Sequence, residues 1–167
     1  MRVWSLPADI DTDQLAPGHT MKHGLEVTAR HCLERVRPEF AAQVRSGDVI
    51  VAGANFGIGS SREQAASVLV HLGVAAVIAP SYSGLYFRNA FNVGLLLLTC
   101  ENAAAIGDGE AISFDARAGT ITRGHGHGHG HGTHLACQPI PGFLLAMVEA
   151  GGLLPQLKQR LKKETTP

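Results

Sequence analysis

Long apolar runs are missing from this 167-residue sequence. Stretches such as Val74–Ala79 stop far short of the roughly 20 residues that cross a bilayer, so no membrane span is expected. The opening residues Met1-Arg2-Val3-Trp4-Ser5-Leu6-Pro7-Ala8-Asp9 lack the apolar stretch of an export signal, and a cytoplasmic location is expected. An excess of one charge is missing too. The 14 Lys plus Arg balance 14 Asp plus Glu, which excludes the basic character of a nucleic-acid binder. Cysteine is scarce: Cys32, Cys100 and Cys137 lie far apart with no C-x-x-C pair. Such an odd, scattered set argues against a disulfide framework and against a self-contained zinc or iron–sulfur site, and each cysteine reads as a small hydrophobe. The 20 glycines have no collagen period, and 45% apolar against 17% charged residues excludes intrinsic disorder. What remains is a globular chain, read as one domain over residues 1–167 and long enough to bury a core without staples.

From Asp48 onward, strand-like and helix-like patterns alternate. Val49-Ile50-Val51-Ala52 ends at Gly53 as a buried parallel strand would. In Ser60–Gly73, Ala65, Val68, Leu69 and Leu72 follow helical spacing and Gly73 supplies the stop, which predicts a helix starting near the serines. Val74–Ala79, closed by Pro80, is a second buried strand; a short segment around Tyr86 to Phe91 leads to a third at Leu95–Leu98. This β-α-β-α-β order predicts an α/β fold with parallel pairing and right-handed crossovers, and it puts a ligand site beyond the carboxyl ends of the strands, at the turn from Gly53 to Ser61. Ala111–Phe114, Thr120–Thr122 and Leu135–Cys137 predict a small antiparallel layer, and Pro141–Ala150 and Leu153–Lys163 predict two helices divided by Gly151-Gly152. The repeat Gly124-His125-Gly126-His127-Gly128-His129-Gly130-His131-Gly132 offers no apolar face and reads as a flexible loop able to capture zinc, nickel or copper adventitiously.

The turn itself reads Gly53-Ala54-Asn55-Phe56-Gly57-Ile58-Gly59-Ser60-Ser61-Arg62-Glu63. It is no P-loop, since no Lys precedes the serines, and no dinucleotide fingerprint, since Arg62 stands where a third glycine belongs. Two serines and an arginine at a helix start suit chemistry on a small carboxylic acid, because a guanidinium grips a carboxylate bidentately. The alternative is that Ser60 or Ser61 merely caps the helix, as the spacings to Glu63 and Gln64 allow. A second polar cluster, Asp9-Ile10-Asp11-Thr12-Asp13-Gln14, has the two-residue alternation of a strand end with acids on one face; it lacks the ligands of a calcium loop.

Taken together these segments resemble the small subunits of 3-isopropylmalate dehydratase, relatives of the swivelling fourth domain of aconitase. The resemblance rests on Asp11-Thr12-Asp13-Gln14, on the whole turn from Gly53 to Ala65, on Tyr86-Phe87-Arg88-Asn89-Ala90-Phe91-Asn92-Val93-Gly94-Leu95, and on the tail Glu149–Pro155. It implies a β/β/α swivelling domain with a mostly parallel core and a small antiparallel layer. It also implies half of a hydro-lyase that turns 2-isopropylmalate into 3-isopropylmalate through an enoate, in leucine biosynthesis. A separate large subunit, in a heterodimer or heterotetramer, would carry a [4Fe–4S] cluster and this chain none. Ser60 would be the general base, Ser61 and Arg62 would bind the substrate carboxylate, and Asp13 would orient the polar network.

After Pro17 the sequence departs from the family pattern and reads Gly18-His19-Thr20-Met21-Lys22-His23, with His19 and Lys22 as substrate-reading candidates. Homoaconitate-handling relatives place Arg where Lys22 falls, and a cation suits a carboxylate arm better than an isopropyl group. Homoaconitate, 2,3-dimethylmalate or another malate-like acid therefore stay open as substrates. So do two readings of another class: a binding module that holds a carboxylate or a metal without turnover, and a scaffold that only closes over a partner's site.

Overall fold

The computed structural model describes residues 1–124 and 133–164; the Gly-His repeat read as a flexible loop falls, but for Gly124, outside the described residues. Four strands, β1 (Val3–Leu6), β2 (Val49–Ala52), β3 (Ala76–Ala79) and β4 (Leu96–Thr99), form one parallel sheet in the order β1-β2-β3-β4. β2 and β3 are buried along their whole length, as purely apolar runs between two covered faces must be. Helices α4 (Gln64–His71) and α5 (Gly84–Asn92) connect β2 to β3 and β3 to β4, which bears out the alternating pattern. Ahead of them come α1 (Thr12–Leu15), α2 (Leu25–Arg30) and α3 (Phe40–Gln43), short pieces that fill the long connection from β1 to β2.

The antiparallel layer is β5 (Ile112–Asp115), β6 (Thr120–Arg123) and β7 (Thr133–Ala136), with β6 in the centre. Helices α6 (Gly142–Glu149) and α7 (Leu153–Glu164) follow on either side of the two glycines, as expected. The glycines have a packing reason. Gly152 has φ +113°, and a Cβ there would sit 2.4 Å from the Asn92 carbonyl, so the tail can close on the end of α5 only without a side chain.

Three expectations need correction. β1 has no counterpart in the sequence reading; it is an edge strand whose Trp4 is buried, with Nε1 donating to Asp48 at 3.0 Å and the Arg2 and Arg37 guanidiniums over its ring at 4.2 and 5.1 Å. The cluster around Asp11 is a strand end for one residue only: Asp11 makes a parallel bridge with Ile58 and at once caps α1, accepting from the Gln14 N–H at 2.7 Å while the Gln14 side chain accepts from the Asp11 N–H at 2.9 Å. That reciprocal cap outweighs the two-residue alternation of the acids. Lastly, α4 starts at Gln64 and not at the serines. The Ser61 carbonyl, which an earlier start would have used, accepts instead from Asn89 Nδ2 at 2.8 Å.

Candidate functional site

Parallel pairing sends the exits of β1 and β2 out of the same edge of the sheet, and the pairing continues beyond the strands. Gly53 N donates to Pro7 O at 3.2 Å, Asp9 N to Ala54 O at 2.9 Å, Gly57 N to Ile10 O at 2.7 Å and Thr12 N to Ile58 O at 2.9 Å. Asp9 and Asn55, both left-handed with φ of 59° and 61°, are joined by a 2.9 Å hydrogen bond from Asn55 Nδ2. Two segments distant in sequence thus run side by side to the place where the acids of one meet the serines and arginine of the other.

The glycine-rich turn is locked from beneath. Gly57 has φ +78°, and a Cβ there would overlap Cγ of the buried Tyr86 at 2.1 Å, so the ring of α5 occupies the space a side chain would need. The Ser60 N–H donates to the buried Thr12 hydroxyl at 2.9 Å. Neither serine caps a helix: Glu63 is the residue before α4 and no side-chain cap bond is made there. Both Ser60 and Ser61 are exposed, and their hydroxyls have no hydrogen-bond partner among the described residues. The capping alternative therefore fails, and the backbone on either side of the two hydroxyls is held by Thr12 and Asn89.

Arg62 stands beside them, its side chain only 21% exposed. Its Nη1 donates to Asp13 Oδ1 at 3.1 Å and to the Ala16 carbonyl at 2.8 Å; Nε and Nη2 make no hydrogen bond among the described residues and remain a two-donor fork. The Gly18 N–H, which donates to Asp13 at 2.9 Å, holds the Asp13 carboxyl below the usual carboxylate range, with the Arg62 charge acting in the same sense and partial desolvation opposing both. A depressed carboxylate stabilises the fold above its unfolded pKa and loses that contribution as pH falls through its native one. Asp13→Asn is thus expected to lower the denaturation midpoint near neutrality, with the difference from the parent closing in acid; parallel curves at all pH values would remove Asp13 from the network.

The structure thus brings Asp13, Ser60, Ser61 and Arg62 to one edge. His19 and Lys22 stand in the segment ahead of α2 and make no hydrogen bond or ion pair with Ser60, Ser61 or Arg62 among the described residues. Lys22 is exposed in a 3-10 turn (Met21–His23) and makes no ion pair among the described residues, whereas the His19 ring meets His31 and Glu34. Thr12, Tyr86 and Asn89 are the residues sequence reasoning missed as builders of the site. Tyr86 and Asn89 stand in a segment whose resemblance was noticed without a role, and Thr12 lies between two noticed acids.

The cysteines do not fit an iron–sulfur cluster. Cys32 and Cys100 are buried, Cys137 is half-buried, burial pushes all three thiols up, and no set of ligating side chains that includes a cysteine comes together among the described residues.

Residues 19–103 match the Aconitase C-terminal domain family. The chain is 42% identical to the methanogen homoaconitase small subunit of Methanothermobacter thermautotrophicus, over 92% of this chain and 86% of the relative. It is 40% identical to the 3-isopropylmalate dehydratase small subunit of Sulfurimonas denitrificans, over 96% and 94%. The crystal structure of 3-isopropylmalate dehydratase from Methanocaldococcus jannaschii superposes with a TM-score of 0.87 at 33% identity, covering 98% of this chain and 95% of that one.

Proposed function

The chain belongs to the Aconitase C-terminal domain family, and on that premise we propose that it is the small subunit of a hydro-lyase that isomerises 2-isopropylmalate to 3-isopropylmalate by dehydration and rehydration. The observation that carries the reading is the pair of exposed serine hydroxyls, without hydrogen-bond partners among the described residues, beside an arginine whose bond to Asp13 leaves Nε and Nη2 without one as well. Such an open edge is half of a site. It needs a second chain to close it, in line with relatives named as small subunits.

Ser60, as alkoxide, takes the proton from the carbon next to a substrate carboxylate, and the released electron pair becomes the double bond of the enoate as hydroxide leaves. Rehydration returns that proton from the Ser60 hydroxyl. Ser61 and the Arg62 fork hold the carboxylate, and Asp13 fixes the fork by engaging Nη1. Departure of the hydroxyl is the task of the large subunit, to which any [4Fe–4S] centre belongs, since the cysteines here are not placed for one. A cytoplasmic location is part of the same proposal; among the described residues no helix is long and apolar enough to cross a membrane. A single hydrophobic cluster that takes in Ile112 and Ile121 of the antiparallel layer along with the parallel sheet supports the one-domain reading.

A second substrate is favoured by one observation. The exposed ammonium of Lys22 lies in the segment whose Gly18 N–H serves Asp13, and it suits a distal carboxylate as in homoaconitate. The test is anaerobic co-expression with a cluster-bearing large subunit, following ultraviolet absorbance of the enoate from 2-isopropylmalate and from homocitrate. Turnover that needs both chains supports the half-enzyme, and the preferred acid decides the substrate. In the same assay Arg62→Lys should reduce kcat/KM about 10- to 100-fold, since one charge-assisted hydrogen bond to a carboxylate is worth about 1.5–3 kcal/mol. Unchanged kinetics would reduce the chain to a scaffold.

A further inference from the structure

Three ligand-type side chains meet on the face next to this edge. His19 Nε2 lies 3.9 Å from Glu34 Oε1, His31 Nδ1 lies 2.6 Å from Glu34 Oε2, and the two rings meet edge to face with centroids 5.7 Å apart. One ligand atom from each falls within 4.8 Å of the other two. The backbone that presents them is fixed at both ends. Thr20 donates through its hydroxyl to Pro17 O at 2.7 Å, closing the turn that carries His19. Leu33, fully buried and left-handed with φ +60°, turns the chain after α2 so that Glu34 comes back over His31, and its N–H is tied to Gln14 O at 2.8 Å. The surrounding packing holds this left-handed leucine in place.

We infer that His19, His31 and Glu34 form a binding site for one divalent transition-metal ion of the zinc class. Two imidazoles and a carboxylate are the ligand types such an ion takes, and three protein ligands leave its fourth position for water. Tetrahedral bonds of about 2.1 Å separate ligand atoms by about 3.4 Å. The His31–Glu34 contact at 2.6 Å must open and the other ligand-atom separations, all within 4.8 Å, must close toward that tetrahedral spacing, which side-chain rotation supplies because the His19 side chain is 60% and the His31 side chain 41% exposed. Calcium and magnesium do not fit, because they call for more oxygen ligands than Glu34 offers. Arg35 borders the adjoining cleft, but so do Asp11 and Asp13, whose carboxylates offset its charge. Once bound, the ion withdraws His19 from substrate reading and pins the segment of Gly18 and Lys22 to the turn after α2. Binding of the ion is measurable on this chain alone, whatever the outcome for the proposed reaction.

The histidines of the Gly-His repeat would bind the same metals, so the test uses the full chain with His125→Ala, His127→Ala, His129→Ala and His131→Ala together. Calorimetric titration with Zn(II), and visible absorption with Co(II), should then show about one equivalent in a tetrahedral site. Adding His19→Ala, His31→Ala or Glu34→Gln should weaken binding at least tenfold, the smaller end of what even supporting residues contribute to metal sites. No saturable binding in the four-alanine chain, or an affinity moved less than about twofold by His19→Ala and by His31→Ala, would overturn the site.

Discussion

Replacing Ser60 by alanine in the assembled enzyme will lower kcat by about two to four orders of magnitude while KM stays within a few-fold of the parent. The split follows from the geometry. The Ser60 hydroxyl is exposed and has no hydrogen-bond partner among the described residues, so its loss breaks none of their contacts, and the turn keeps its shape through the Ser60 N–H bond to Thr12 and the Ser61 carbonyl bond from Asn89. The carboxylate binding proposed for Ser61 and Arg62 is untouched, so ground-state affinity should survive. Steady-state kinetics on enoate formation and on hydration both measure it, and one base serving both directions requires both to fall together. A loss of less than about tenfold would take proton abstraction away from Ser60 and leave a binding module.

Substituting alanine for Gly57 will destabilise the chain by about 2–5 kcal/mol, the sum of a left-handed non-glycine residue and an overpacked contact, and will lower the melting temperature by on the order of 10 °C. The cause is the Tyr86 ring, whose Cγ lies 2.1 Å from where the new Cβ would stand. Should Gly57→Ala fail to fold, the pair Gly57→Ala with Tyr86→Ala separates the two causes. Deleting the ring relieves the overlap but leaves the backbone strain, so the double variant should be less destabilised than the two single losses added together. Strict additivity would mean that the ring is not what the glycine accommodates. Thermal denaturation by circular dichroism reads both.

The parallel core was legible because its strands are uniformly apolar and end at Gly53 and Pro80, a pattern that few other structures produce. β1 was not: Ser5 interrupts its apolar run, half-exposed at the sheet edge, and its place is set by Trp4 packing on residues far along the chain. α1 carried its signal in the Asp11 and Gln14 cap, which the alternating acids masked. For the site, the reactive side chains were legible as a local motif, whereas their supports were not, since Thr12, Tyr86 and Asn89 reach the turn only through tertiary contacts. The start of α4 failed for the same reason: local capping spacing favoured the serines, and a single side chain from α5 removed the carbonyl on which that start depends.

The strand order has a bearing on how the chain assembles. In a sheet whose neighbours follow in sequence, each pairing closes a loop, and the loops shrink toward the C-terminus: Val3 pairs with Val49, but Ala76 pairs with Leu96. The longer closure is harder by about 0.7 kcal/mol in chain entropy alone. β3, α5 and β4 are therefore expected to form the nucleus, carrying Tyr86 and Asn89, with Arg62 arriving next and Asp13 docking last along with β1. The two halves of the site belong to opposite ends of that sequence of events. Partial opening of the native chain will separate Asp13 from Arg62 well before the core unravels, so catalytic competence should be the first thing lost under mild denaturation.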